Sequence, residues 1–261
     1  MPPPPLEVSN VALSFGGVTA LQDVSFACAE GEIFAIVGPN GAGKTSLLNV
    51  VSGTYRPSRG TLRYFGTEIR RARPHQVARL GVARTFQNVA LFPDLTVLEN
   101  VLVGRHAFGG AGAGFFASGL STSSARGWES RQRATAEEAL KALDLSSARD
   151  LAVETLPYGV KKKVELARAL AMEPRLMLLD EPLAGMNPSE KEEIADIITA
   201  IRARYGLTMV MIEHDFPLVM SLASRVLVLD YGVVIAEGPP SEIRRDPKVM
   251  RAYFGAAGGV D

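Results

Sequence analysis

Eight residues, Gly38-Pro39-Asn40-Gly41-Ala42-Gly43-Lys44-Thr45, constrain this chain more than any other stretch of it. They satisfy the spacing G-x-x-x-x-G-K-[ST], in the setting that gives the spacing a mechanism. Upstream, Glu32–Val37 is a nearly continuous apolar run, the pattern of a strand covered on both faces. Downstream, Lys44–Ser52 has helical character until Gly53 stops it. Glycines at 38, 41 and 43 let the backbone turn around a phosphate with no Cβ in the way. The exposed N–H groups and the helix N-terminus then supply positive potential for a polyphosphate. Lys44 adds a mobile point charge for β- and γ-phosphates, and the Thr45 hydroxyl is suited to ligate Mg²⁺. The stretch from Gly38 to Ser46, with Pro39, Asn40 and Ala42 inside it, is the expected nucleotide cradle.

A second constellation, Leu176-Met177-Leu178-Leu179-Asp180-Glu181, ends four apolar residues in two carboxylates. Such a core strand delivers acids to the carboxyl edge of a parallel sheet, where the ligands of these sheets bind. Alone the pattern is weak, because strands often end in solvated acids; downstream of the cradle it gains weight. Asp180 is expected to hold Mg²⁺ through water, and Glu181 to polarise the attacking water. His214 leaves a third apolar run, Met209-Val210-Met211-Ile212-Glu213. It could donate to a γ-phosphate or be merely structural. Gln87, after Arg84-Thr85-Phe86, is equally open from its residue type alone.

Composition narrows the class. With 47% hydrophobic and 21% charged residues the 261-residue chain is far from disordered composition. Its length suits one large domain or two closely packed ones. The lone Cys28 excludes an intramolecular disulfide framework. The 28 basic and 28 acidic side chains cancel, which argues against a surface that tracks nucleic acid or anionic lipid throughout. Local charge is uneven: Arg56 to Arg84 holds eight arginines against Glu68, and Asp180 to Asp196 is acidic. The opening MPPPPLEVSN lacks the basic and apolar regions of a secretory signal. Ala107–Ala125 is uncharged, yet it is mostly Gly, Ala and Ser with Leu120 as its only branched aliphatic residue. It is expected to be a loop or a small-residue surface segment rather than a membrane span.

Periodicity and turn signals predict antiparallel strands at Leu6–Phe15 and Thr19–Phe26, and further strands at Gly60–Phe65 and Gly81–Phe86. Helices are expected at Thr96–Val103 and Ser130–Leu145, within a helix-rich region from about Asn88 to Ala171. Buried strands return at Arg175–Leu179 and Thr208–Ile212, separated by a helix from Pro188 to about Tyr205. Val226–Leu229 and Val233–Ala236 read as a hairpin about Asp230-Tyr231-Gly232.

In this order the motifs resemble the ATP-binding subunit of an ABC transporter, from about Leu6 to Gly255. The resemblance implies an α/β fold: a P-loop NTPase (RecA-like) parallel-sheet core with an N-terminal antiparallel β subdomain and a helical subdomain. It also implies one ATPase domain over residues 6–255. The core would lie at about 6–87 and 172–240, the helical subdomain at about 88–171, and a helical tail at about 241–261. Phe15 matches the family's adenine-stacking aromatic residue and Gln87 its Q-loop, which contacts Mg²⁺ and water. Asp180 and Glu181 match the Walker B pair of metal ligand and general base, and His214 the switch histidine that contacts the γ-phosphate. Val82-Ala83-Arg84-Thr85-Phe86-Gln87-Asn88, the insertion after Arg105, Ala184-Gly185-Met186-Asn187-Pro188, Glu213-His214-Asp215 and the ending through Arg251-Ala252-Tyr253-Phe254-Gly255 are similar to the branched-chain amino-acid uptake subfamily. This chain resembles the longer of that subfamily's two ATPases. The implied cofactors are ATP and Mg²⁺. The implied partners are a second ATPase subunit, two membrane permease subunits and, indirectly, an extracytoplasmic binding protein. The expected location is the cytoplasmic face of the cell membrane, with no nucleic-acid partner.

Two departures stand out. Where the family signature reads LSGGQ, this chain has Leu156-Pro157-Tyr158-Gly159-Val160. Tyr158 is tolerated in the subfamily, and Gly159 survives beside a helix expected to start near Val160. Pro157 removes a hydroxyl and an N–H that could reach a γ-phosphate in trans. Losing one good hydrogen bond to an ion costs about 1.5–3 kcal/mol. Asn187 replaces the usual D-loop aspartate. Both point to one good and one poorer ATP site, favouring a heterodimer over a homodimer. A nucleic-acid-handling ATPase, supported by the arginine-rich stretch, and a low-turnover nucleotide sensor are the rival readings.

Overall fold

The computed structural model describes residues 2–69, 73–86, 90–105 and 123–254. Gln87, Asn88, most of the insertion after Arg105, and Gly255 lie outside them. Leu6–Phe15 (β1) buries Leu6, Val8, Val11 and Leu13, and Val18–Cys28 (β2) returns antiparallel beside it. The register shifts after Val8, where Asn10 has φ 51° and its backbone N–H donates to Ser25 Oγ. Ile33–Val37 (β3) is buried at every position and leads through the glycine-rich loop into Lys44–Val51 (α1). Ser52 caps that helix and Gly53 follows at φ 76°. Arg59–Tyr64 (β4) pairs with β1, and Thr67–Glu68 (β5) with β4, giving an antiparallel sheet in the order β2-β1-β4-β5. The buried Tyr64 hydroxyl donates to the Val51 carbonyl, tying this sheet to the end of α1.

Pro74–Arg79 (α2), with proline at its start, precedes the short Val82–Arg84 (β6). Val97–Arg105 (α3), Ser123–Ala142 (α4) and Tyr158–Leu170 (α5) follow. The remaining elements are Leu176–Asp180 (β7), Pro188–Tyr205 (α6), Thr208–Ile212 (β8), Phe216–Leu222 (α7), Arg225–Asp230 (β9), Val233–Gly238 (β10), Pro240–Ile243 (α8) and Pro247–Phe254 (α9). The second sheet runs β10-β9-β3-β8-β7-β6, and its strands are parallel except for the β9–β10 hairpin. Every residue of β3, β7 and β8 is buried, which is what strands covered on both faces require. Parallel pairing brings the carboxyl ends of these three strands to one edge, where the glycine loop, Asp180 and Glu213 emerge.

Packing divides the chain into two units: Met1–Gln87 with Arg175–Gly185 and Ile198–Asp261, and Asn88–Pro174 with Met186–Ile197. The first holds both sheets. Its core joins Leu6, Val8 and Leu62 of the antiparallel sheet with Phe34, Ile36, Leu178 and Val210 of the parallel one. In the second, α3, α4 and α5 bury Val97, Val101, Leu140, Leu143, Val164 and Ala167. The Arg105 guanidinium at the end of α3 reaches Gln132 of α4 and the Ala171 carbonyl beyond α5.

Several boundaries differ from the sequence expectation. The α4 helix begins at Ser123, taking in the last residues of the uncharged stretch, and stops at Ala142 ahead of Asp144 at φ 55°. The β6 strand is confined to Val82–Arg84, although the Thr85 N–H still donates to the Leu178 carbonyl. The α5 helix begins at Tyr158 rather than near Val160. Pro157 is its N-cap, at φ −57° and ψ 155°, and not part of its first turn.

Candidate functional site

The cradle is built from the end of β3. Gly38 has φ 153°, and a Cβ there would lie 2.1 Å from the Leu229 carbonyl oxygen. Gly43, the N-cap of α1, has φ 99°, and a Cβ there would lie 2.6 Å from the Ala20 carbonyl oxygen. The first turn of α1 carries no acidic residue and takes no side-chain cap. Its orphan N–H groups and the positive end of the helix therefore face the loop unopposed. Thr45 is exposed, Ser46 half-buried, and Lys44 buried. The Lys44 ammonium donates to the carbonyls of Gly38 (2.7 Å) and Pro39 (3.0 Å). Burial lowers the Lys44 pKa, and the negative charge of Glu181 opposes that shift. Gly38→Ala is expected to cost about 3 kcal/mol or more through the forced overlap with Leu229. Nucleotide titration of that variant should show binding lost, and denaturant unfolding should show the destabilisation.

Asp180 ends β7 almost fully buried. Its Oδ2 accepts from Arg84 Nη2 at 2.8 Å, while Arg84 Nη1 donates to Asn49 Oδ1 and Ser52 Oγ at 2.7 Å each. Its Oδ1, also buried, takes no hydrogen bond among the described residues. A buried carboxylate oxygen left open in this way suits a hard cation, as does the exposed Thr45 hydroxyl. Among the described residues no group of three or more His, Cys, Asp or Glu forms a closed metal cage. Mg²⁺ needs none, since it takes one or two protein oxygens and completes its shell with phosphate and water.

Glu181, next in the chain, has φ 47°, the left-handed region that a non-glycine residue occupies at a cost. Its N–H donates to the Ile212 carbonyl at 3.0 Å, and its own carbonyl accepts from the Ala184 N–H at 3.2 Å. Glu213 is buried at the end of β8, while His214 is about half exposed. The His214 Nδ1 lies 3.8 Å from Glu213 Oε2. Phe15, at the end of β1, is exposed and meets Tyr55 edge to face at 5.2 Å. Lys44, Glu181 and Glu213 thus share one electrostatic neighbourhood at the carboxyl edge of the sheet. Tyr158 and Gly159 open α5 in the other unit: Tyr158 is exposed, and Gly159 is buried beside the Glu190 side chain. Asn187 and Glu190 cap the start of α6 reciprocally, each side chain accepting from the other's N–H at 3.0 Å. Gln87 is outside the described residues.

Sequence reasoning missed Arg84 and Glu213 as members of the site. The signal was available: each is the first charge after an apolar run, Val82-Ala83 before one and Met209–Ile212 before the other. The arginine-rich stretch also changes meaning. Arg59 pairs with Asp23, Arg63 with Glu7 and Glu68, and Arg84 with Asp180. Three of its eight arginines are thus paired within the chain.

The family profile described as ABC transporter matches residues 21–184, and one described as branched-chain amino acid ATP-binding cassette transporter matches residues 233–258. The high-affinity branched-chain amino acid transport ATP-binding protein BraF of Pseudomonas aeruginosa is 38% identical over 97% of this chain and 99% of its own length. The corresponding protein LivG of Escherichia coli K12 is 37% identical over 98% of this chain and all of its own. Among solved structures, the ADP conformation of MJ1267, an ATP-binding cassette of an ABC transporter, superposes with a TM-score of 0.83 at 30% identity. That match covers 97% of this chain and 99% of the other. Together with the phosphate cradle at the head of a parallel sheet, these likenesses place the chain in the ABC transporter ATP-binding family, as a nucleotide-binding ATPase of the LivG/BraF branch.

Proposed function

We propose that the chain is the ATP-hydrolysing motor subunit of an importer for branched-chain amino acids or related small polar solutes. The observation that carries this reading is the Gly38–Ser46 cradle beside Asp180 and Glu181, in a chain that BraF and LivG match end to end. Residues 6–255 work as one ATPase domain, with a core at about 6–87 and 172–240 apart from Met186–Ile197, which packs with the helical subdomain at about 88–171, and a helical tail at about 241–261. Phe15 stacks on adenine, and the loop amides cradle the phosphates. Lys44 keeps two protons on loop carbonyls and offers its third to the β- or γ-phosphate. Thr45, Asp180 and Gln87 would hold Mg²⁺, which when bound neutralises charge on the phosphate oxygens. Glu181 accepts a proton from the attacking water, and His214 contacts the γ-phosphate.

Each nucleotide lies between this cradle and the start of a partner's signature helix. In return, Tyr158 and Gly159 serve the partner's nucleotide. With Pro157 as N-cap, the N–H groups of the first turn of α5 remain available, but the side-chain donor of a serine is gone. This chain therefore completes the poorer of two sites, and a different second ATPase subunit is the favoured partner. Two membrane permease subunits and, indirectly, an extracytoplasmic solute-binding protein complete the assembly in this reading. Among the described residues no helix is long and apolar enough to cross a membrane. In this reading the subunit sits peripherally on the cytoplasmic face of the cell membrane.

The test is reconstitution in proteoliposomes with the membrane subunits, the second ATPase and the solute-binding protein. Leucine uptake should require ATP and fall at least about 100-fold with Lys44→Ala. Turnover indifferent to solute and binding protein but stimulated by DNA or RNA would overturn the reading.

A further inference from the structure

We propose that Glu213 is a positioning residue that locks the Glu181 turn and the His214 segment together; this rests on the roles assigned above to those two residues. The reasoning starts from backbone accounting. Beyond Asp180 and Ile212 the parallel β7–β8 ladder runs out. One bond continues it, from the Glu181 N–H to the Ile212 carbonyl. Pro182 has no N–H to give, so the ladder cannot go on in the ordinary way. A side chain takes over: Glu213 Oε1 accepts from the Leu183 N–H at 2.8 Å, and Oε2 accepts from the His214 N–H at 3.2 Å. One buried carboxylate thereby spans both segments. Burial pushes its pKa up, and the two backbone hydrogen bonds and the neighbouring His214 act against that shift. A buried acid whose two oxygens each take a backbone donor is expensive to replace, because loss of the Leu183 bond leaves a buried N–H unsatisfied and loss of the His214 bond frees the segment beside it.

The consequence concerns the register of two catalytic groups. Glu181 sits in a left-handed conformation that its surroundings must enforce. The bond from Leu183, two residues on, holds the far side of that turn, and the bond from His214 fixes the near side of the switch segment. Glu213 touches neither nucleotide nor water in this scheme; it acts through Glu181 and His214.

The test uses the full chain for ATP binding and the reconstituted transporter for turnover. Glu213→Gln keeps the shape and one acceptor but turns an amide NH₂ toward a backbone donor; its kcat is expected to fall 5- to 20-fold. Glu213→Ala removes both acceptors and should lower kcat at least 50-fold. In each case the Kd for ATP and the KM should stay within twofold of wild type, a split that a general loss of structure does not produce. Adding Glu213→Ala to Glu181→Gln should cost less than a further threefold, because a positioning residue has little left to position. Turnover within twofold of wild type for both single variants would overturn the proposal. So would a loss that multiplies that of Glu181→Gln, or one matched by weaker ATP binding. If the alanine variant does not fold, the glutamine variant alone decides. Failure of the underlying reading is seen separately, as wild-type turnover in Glu181→Gln.

Discussion

Glu181→Gln is expected to bind ATP with the affinity of the wild type and to hydrolyse it about 10²–10⁴-fold more slowly. The side chains are isosteric, and two backbone bonds hold position 181: its N–H donates to the Ile212 carbonyl and its carbonyl accepts from the Ala184 N–H. The substitution leaves these bonds in place and removes the negative charge together with the capacity to take a proton. Binding should survive because the phosphate contacts come from the cradle. With hydrolysis blocked, ATP should hold the ATPase pair closed, which size-exclusion chromatography with ATP and Mg²⁺ would register as a persistent dimer. A second consequence has a definite sign. Burial already lowers the Lys44 pKa and the Glu181 charge opposes it, so removing that charge lowers it further. The alkaline limb of ATP binding, where Lys44 loses its proton, should move to lower pH in the glutamine variant. Wild-type turnover, or an alkaline limb that does not move, would remove Glu181 from its assigned place.

The sequence was most informative where chemistry and backbone constraint coincide. The run from Glu32 to Val37 could only be a strand buried on both faces, and the glycine-rich loop could only turn directly into a helix; β3 and α1 stand within a residue of expectation. Boundaries failed where local preference is weak. The α4 helix extends back to Ser123 through Ser and Gly residues that have little helical preference of their own. The short α2 and β5 elements are too brief to show a period at all. Arg84 and Glu213 were hidden for a different reason. A charged residue at a strand end is most often solvated, and nothing in one dimension shows that Asp180 lies against the first or the Leu183 amide against the second. Asn187 looked like the loss of an interfacial aspartate; in the fold it closes a reciprocal cap on α6 with Glu190. An aspartate would cap equally well, so the contact accounts for a short polar acceptor at this position and not for the lost charge.

Arg84→Met should destabilise the unit that contains it by about 3–5 kcal/mol. Asp180 is almost wholly removed from water, and Arg84 supplies the cation that makes a buried carboxylate tolerable. Methionine fills much of the space of the arginine stem but leaves Asp180 uncompensated, along with Asn49 and Ser52, which lose their shared donor. Arg84→Lys should recover only part of the loss. An ammonium is a point charge and cannot hold Asn49, Ser52 and Asp180 together as the planar guanidinium does. Pairing Arg84→Met with Asp180→Leu should restore much of the stability, since exchanging a buried ion pair for apolar groups is often close to neutral. It should not restore activity, because the same substitution removes the carboxylate oxygen assigned to Mg²⁺. Urea unfolding of the four proteins forms the comparison. If Arg84→Met unfolded within about 1 kcal/mol of wild type, the pair would be energetically indifferent. The conjunction expected here, stability regained and turnover still lost, separates what Arg84 does for the fold from what Asp180 does for the nucleotide.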